Sequence, residues 1–283
     1  MPYTEEPDVM GLLFACMISR ADLLGEALLE ERDVLDASMP AAADGWGAGF
    51  YQSGEALHRK LPQPISEPLS WSGVLDGVRS HVALAHVREA KVGDRRADNT
   101  QPFRMRQWLF AHVGEISGHA AVRDAMLASL PDFLRRNIRG QTDSEVLFHL
   151  VLSFLHDAGN LDGVDVSDPV MVGALRSAVT LADRYAHEVG ATPGSLTLAM
   201  TNGRQLYALR RGSPLCMVQR DRLQQRESMH APAAKPTAPQ AVRYVIVASH
   251  AGPSTPPSYS AVADGSVVCV DRDLRVTQHA LAN

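Results

Sequence analysis

Asp44-Gly-Trp-Gly-Ala-Gly-Phe-Tyr51 sets small residues between aromatics. A strand with so little side chain along part of its length suits a place where a second backbone passes close by. The Gly45, Gly47 and Gly49 series lacks the Lys-Ser/Thr of a phosphate loop and the spacing of a dinucleotide fingerprint, so close sheet packing is the reading taken. Ahead of it, residues 9–18 (VMGLLFACMI) are nearly continuously apolar, as a strand covered on both faces would be. Residues 21–32 then show helical spacing at Leu23, Leu24, Leu28 and Leu29. Behind it come strand candidates at 80–88 (SHVALAHVR) and 107–113 (QWLFAHV), separated by a polar, Arg-rich loop.

The middle of the chain is helical by apolar period. Helices are expected over 119–136, over 142–157 with a capping box at Thr142 and Glu145, and over 168–189 with Pro169 in the first turn and Gly190 as the stop. The segment 195–211 reads as a hairpin with a two-residue turn at Asn202-Gly203. Strands near 215–219, 242–248 and 266–270 follow, and the Ala/Pro-rich stretch 227–241 reads as an exposed loop or linker. Strands thus form a leading and a trailing group with helices clustered between. That order disfavours a doubly wound parallel sheet and fits an α+β fold of two stacked, mainly antiparallel sheets with helices outside. A single domain over 10–283, preceded by an extension over 1–9, is expected.

The 283 residues are 45% hydrophobic, ample for a large core and too apolar for a disordered chain. Lys and Arg number 27 against 32 Asp and Glu, a net charge of −5, so no basic excess draws the chain to nucleic acid or anionic lipid. The three cysteines, Cys16, Cys216 and Cys269, are widely spaced and odd in number, which fits reduced thiols in a cytoplasm. There is no Cys-x-x-Cys pair to suggest zinc, and no cofactor signature. The acidic start and the short apolar run argue against a secretory signal or a membrane span.

Four ordered blocks carry a resemblance: Asp44 to Tyr51, His86-Val-Arg-Glu-Ala-Lys-Val-Gly93, Asn99-Thr-Gln-Pro-Phe103 with Phe110-Ala-His-Val-Gly-Glu-Ile116, and Gly140-Gln-Thr-Asp-Ser-Glu145. With the late strand Tyr244-Val-Ile-Val-Ala-Ser249, they resemble the class II glutamine amidotransferases, above all the small stand-alone branch that includes ergothioneine-pathway γ-glutamyl hydrolases. The resemblance implies a four-layer αββα sandwich with its active site at one end of the two sheets. In that family an N-terminal cysteine attacks the glutamine amide and its own amino group serves as base. Matched to the family's opening strand, Met10-Gly-Leu-Leu-Phe14 places Gly11 at the nucleophile position, where no side chain can attack. Ten residues precede Gly11, so its nitrogen is an amide unless processing removes them. The family's His-Asn-Gly is here His112-Val113-Gly114, so the side-chain oxyanion donor is also gone while the Gly114 backbone N–H remains. Gln101 stands where the stand-alone branch usually has His.

What the resemblance leaves in place is a clamp for a zwitterion: Arg88 for the α-carboxylate and Asp143 for the α-ammonium, with Gly114 and His112 beside them. Each also has a plainer reading. Arg88 could pair with Glu89 or another acidic neighbour, Asp143 is favoured by the helix dipole alone, and His86 and His112 sit in apolar strands as structural residues would. Cys16, five residues past Gly11 and so roughly 16 Å away along a strand, reads as a buried thiol rather than a displaced nucleophile. The expectation is therefore a catalytically silent amidotransferase-like protein that binds glutamine, a γ-glutamyl compound or a related amino acid, as a sensor or partner subunit. The rivals are an active glutaminase or γ-glutamyl amide hydrolase with an unorthodox site, and an interaction scaffold with an empty pocket.

Overall fold

The computed structural model describes residues 11–40, 43–65, 67–89, 93–221, 242–249 and 257–281. The extension over 1–9 and the loop over 227–241 lie outside these. The strands are β1 (Leu12–Ile18), β2 (Gly45–Gln52), β3 (Glu55–Leu61), β4 (Val82–Arg88), β5 (Phe103–Met105), β6 (Trp108–Gly114), β7 (Leu196–Thr201), β8 (Leu206–Arg210), β9 (Leu215–Arg220), β10 (Tyr244–Ser249), β11 (Ser260–Ala261), β12 (Ser266–Val270) and β13 (Val276–Ala280). The helices are α1 (Leu24–Glu30), α2 (Arg32–Leu35), α3 (Trp71–Val74), α4 (His119–Ala128), α5 (Asp132–Arg135), α6 (Asp143–Asp157) and α7 (Asp168–Glu188).

One sheet runs β11-β9-β10-β1-β4-β2-β3 and the other β13-β12-β8-β7-β6-β5, with every neighbouring pair antiparallel. The period of two along a strand explains how they stack. In β1, Leu12, Phe14, Cys16 and Ile18 face the core under α1 and α3, whereas Leu13, Ala15 and Met17 face the space between the sheets. In β6, Trp108 and Phe110 pack beneath α4 to α7, and Leu109, Ala111 and Val113 join the inter-sheet core. Three apolar layers thus separate four structural ones, the expected αββα sandwich. Burying each Leu or Phe side chain contributes roughly 1.5–3 kcal/mol.

Other segments pass close where β2 is bare: a Cβ added to Gly47 would lie 2.0 Å from the Gln101 carbonyl oxygen in the loop ahead of β5, and one added to Gly49 2.9 Å from the Leu109 side chain of the facing sheet, so these two glycines serve close packing.

Several elements differ from expectation. The helix over 119–136 breaks at Pro131, which has no N–H to continue it and stands ahead of α5. The 21–32 segment divides into a short 3-10 turn, α1 and the start of α2. The hairpin of β7 and β8 closes through four residues rather than two, because the Asn202 Oδ1 accepts from the N–H groups of Arg204 (3.0 Å) and Gln205 (2.9 Å). The capping box is half made. The Thr142 hydroxyl accepts from the Glu145 N–H at 3.3 Å, but the Glu145 carboxylate turns to the N–H groups of Arg139 (2.9 Å) and Gly140 (2.7 Å). Among the described residues no helix is long and apolar enough to cross a membrane.

Candidate functional site

β4 and β6 lie in different sheets, and their C-terminal residues, Arg88 and Gly114, line one cleft. The N-terminus of α6 closes it with Thr142, Asp143 and Ser144, and the loop ahead of β5 contributes Asn99 and Gln101. Glu89, Glu115 and the imidazoles of His86 and His112 complete the lining of a space of about 450 Å³, its open mouth included. The cleft thus gathers Arg88, Asp143, His112 and Gly114, the four residues expected of a ligand site.

Each is held by a distinct set of bonds. The Arg88 guanidinium donates from Nη1 to the Asp94 carbonyl (3.1 Å) and from Nη2 to the Gly93 carbonyl (2.9 Å), holding those two residues beside the end of β4. Asp143 accepts from the Ile116 N–H on Oδ2 and from the Ser144 N–H on Oδ1, both at 2.8 Å. A carboxylate has about four lone-pair sites, so these bonds orient Asp143 without exhausting it. Asn99 couples the two loops: its Nδ2 donates to the Asp94 carbonyl (3.0 Å) and its Oδ1 accepts from the Gln141 N–H (2.7 Å).

Gln101 spans the backbone of His112, accepting from its N–H on Oε1 (2.6 Å) and donating to its carbonyl from Nε2 (3.0 Å). It therefore extends the edge of β6 beyond the last β5 pairing as a strand residue would. Ser144 Oγ lies 2.9 Å from His112 Nδ1. Neither ring nitrogen of His86, nor His112 Nε2, has a hydrogen-bond partner among the described residues.

Position 11 sits at the same end. Leu12 pairs with Val87, so continuing that register sets Gly11 opposite Arg88, and a Cβ built on Gly11 would lie 3.3 Å from His86 Nε2. Val113 differs from expectation. By the alternation of β6 its side chain packs between the sheets rather than lining the cleft. Cys16 is fully buried, and desolvation pushes its thiol far up, as an inert core cysteine requires. Three lining residues, Asn99, Glu115 and Ser144, have no role assigned from sequence, although all stand inside the quoted blocks.

Burial lowers His58 and, in the interior, His86, His112, His119 and His149. For His86 desolvation leads, with the neighbouring His112 and Arg88 adding to it, and the result is about 3; its approach to the His112 backbone opposes this weakly without making a hydrogen bond. In the unfolded chain an imidazole binds its proton near pH 6.5. Below that pH the unfolded state therefore holds more protons than the folded one, and stability falls as pH falls, by up to about 1.4 kcal/mol per pH unit for each such imidazole. Urea midpoints should accordingly drop steadily from pH 6.5 towards 4, and His86→Leu should flatten the slope. Midpoints that stay level from pH 7.5 to 5 would contradict the neutral, buried state of these rings.

Comparison with known proteins identifies a family for this fold. The family model described as "Glutamine amidotransferases class-II" matches residues 32–235. A probable glutamine amidotransferase, DUG3 of Saccharomyces cerevisiae, is 27% identical over 184 residues, covering 60% of this chain and 51% of that protein. The gamma-glutamyl-hercynylcysteine sulfoxide hydrolase of Mycobacterium tuberculosis is 39% identical over 75 residues, covering 26% of this chain and 32% of its own. The chain thus spans about half or less of the curated relatives it matches. Among solved structures, a glutamine aminotransferase class-II domain protein from Silicibacter pomeroyi superposes with a TM-score of 0.60 over 96% of this chain and 100% of that one at 21% identity, a likeness of fold. With the family model covering most of its length, the chain belongs to the class-II glutamine amidotransferases.

Proposed function

We propose that this protein binds glutamine, a γ-glutamyl compound or a related free amino acid in the cleft without hydrolysing it, and acts as a sensor or a partner subunit. The observation that carries the reading is the pairing of an intact polar cleft with a glycine at position 11, beside His86 and in register with Arg88. A zwitterion needs one fixed cation and one fixed anion, and Arg88 and Asp143 supply them from opposite sheet and helix elements. Attack on a side-chain amide needs a nucleophile, and a glycine has none to offer there.

Two measurements test this. Purified protein should release no ammonia from glutamine above a buffer control. A glutamine-class amino acid at a hundredfold excess over its dissociation constant should stabilise the fold by about 2.7 kcal/mol, raising the melting temperature by roughly 5 °C. The shift should vanish in Arg88→Ala and partly return in Arg88→Lys. No rise with any such amino acid, or an equal rise in Arg88→Ala, would leave a scaffold with an empty pocket.

One contact favours a second reading. Ser144 Oγ and His112 Nδ1 are a hydroxyl and an imidazole within hydrogen-bond reach on the cleft wall. Glutamine or γ-glutamyl amide hydrolysis that is lost in Ser144→Ala would make this pair the working nucleophile and base of an active hydrolase.

A further inference from the structure

We propose that Asp168, Cys269 and His279 form a binding site for one zinc-class divalent cation, with a fourth position open to water. The three come together from distant parts of the sequence. Cys269 pairs across β12 and β13 with Thr277, and His279 pairs with Val267. By the alternation of both strands Cys269, Thr277 and His279 share one face, the one turned to the helices, where Cys269 joins the core. Asp168, the first residue of α7, meets that face. The sulfur, the imidazole nitrogen and a carboxylate oxygen all lie within 4.8 Å of one another.

That spacing is close to what a tetrahedral ion requires. Metal–donor lengths of about 2.0 Å for nitrogen and oxygen and about 2.3 Å for sulfur set neighbouring donors roughly 3.3–3.5 Å apart. Asp168 Oδ2 and His279 Nε2 are already 3.0 Å apart, so two of the three donors stand near ligand spacing, with the sulfur within 4.8 Å of both. A thiolate, an imidazole and a carboxylate suit zinc or cobalt, whereas magnesium and calcium favour all-oxygen shells. The burial is graded as an open site needs: Cys269 is buried, while Asp168 and His279 are half-buried and reach solvent. Thr277 donates its hydroxyl to Asp168 Oδ2 at 2.6 Å, the outer-shell bond that fixes a ligating carboxylate.

Without metal the same atoms make a small hydrogen-bonded group centred on the Asp168 carboxylate. Metal entry changes the protons in a defined way. The Cys269 thiol proton leaves to solvent as the sulfur–metal bond forms. His279 gives up its bond to Asp168 and ligates through the Nε2 lone pair, its remaining proton on Nδ1. β12 stands three strand spacings from β6, about 14 Å, so this site is separate from the cleft. Its effect would be mechanical, tying the edge hairpin of β12 and β13 to the start of α7.

The test uses the full chain, stripped with a chelator and titrated with Co²⁺ and then Zn²⁺ at 25 °C. One equivalent of Co²⁺ should produce the visible bands of a tetrahedral ion and a thiolate-to-cobalt charge-transfer band, both abolished when Zn²⁺ displaces it. His279→Gln changes a half-exposed residue and should weaken binding at least 100-fold, since even outer-shell losses cost 10–100-fold. Cys269→Ser should remove the charge-transfer band. Absence of one-to-one binding, a Co²⁺ spectrum without the thiolate band, or equal affinity in His279→Gln would each overturn the site.

Discussion

Gly114→Ala is expected to leave little folded protein. Gly114 ends β6 with φ at +132°, a conformation L side chains rarely adopt. A Cβ there would lie 1.8 Å from the Ser195 carbonyl oxygen and 2.5 Å from its carbon. Both are backbone atoms, and the same oxygen accepts the Glu115 N–H at 2.9 Å, so relief requires breaking the junction of β6 with the residues leading into β7. A cost of roughly 3–5 kcal/mol is a large share of a total near 5–15. Gly25→Ala is the control: in α1, with nothing within 4 Å of the added methyl, it should stabilise by up to about 1 kcal/mol. Denaturant curves decide the matter, and a Gly114→Ala midpoint equal to wild type would show the clash is relieved cheaply.

The same glycine shows why the cleft was partly readable from sequence. Ordered motifs placed Arg88, His112, Gly114 and Asp143 in one site, and the structure gathers them there. In β1 the continuous apolar run gave the two covered faces without the parity that assigns residues to each, and at Val113 the motif suggested a cleft position where the alternation of β6 gives an inter-sheet one. Local pattern also named α7 almost to the residue, since Pro169 and Gly190 bracket it. The strands that escaped were β3, β5, β11 and β13, and they share a cause. All lie at sheet edges, where polar residues such as Glu55, Arg59, Gln278 and His279 alternate with few apolar ones and mimic loops. Gln101 was visible as an unusual residue, but its two bonds to the His112 backbone depend on a loop conformation no periodicity encodes. The Asp168, Cys269 and His279 group was hidden for a related reason: ligand spacing betrays a metal site when donors are near in sequence, and here 101 residues separate the first two.

Gly11→Cys, made in the chain as it stands, is expected to lower stability by about 2–4 kcal/mol and to restore no glutaminase activity. Gly11 has φ at +94°, and its added Cβ would lie 2.5 Å from the Val87 carbonyl oxygen and 3.3 Å from His86 Nε2. The carbonyl belongs to β4, which β1 pairs with along its length, so it cannot withdraw without opening that ladder. A cysteine introduced here therefore meets a main chain with no room for its Cβ. A diazo-ketone analogue of glutamine should label the introduced cysteine no faster than Cys16, Cys216 or Cys269. That background is low, because burial raises all three thiols, the last two to about 12. Gly11→Ala separates the two claims, since it adds the clash without a nucleophile and should be destabilised to the same degree. If both variants are as stable as wild type, the backbone is not locked. If Gly11→Cys also labels selectively and releases ammonia from glutamine, the cleft needed only its thiol to resume the chemistry of its family.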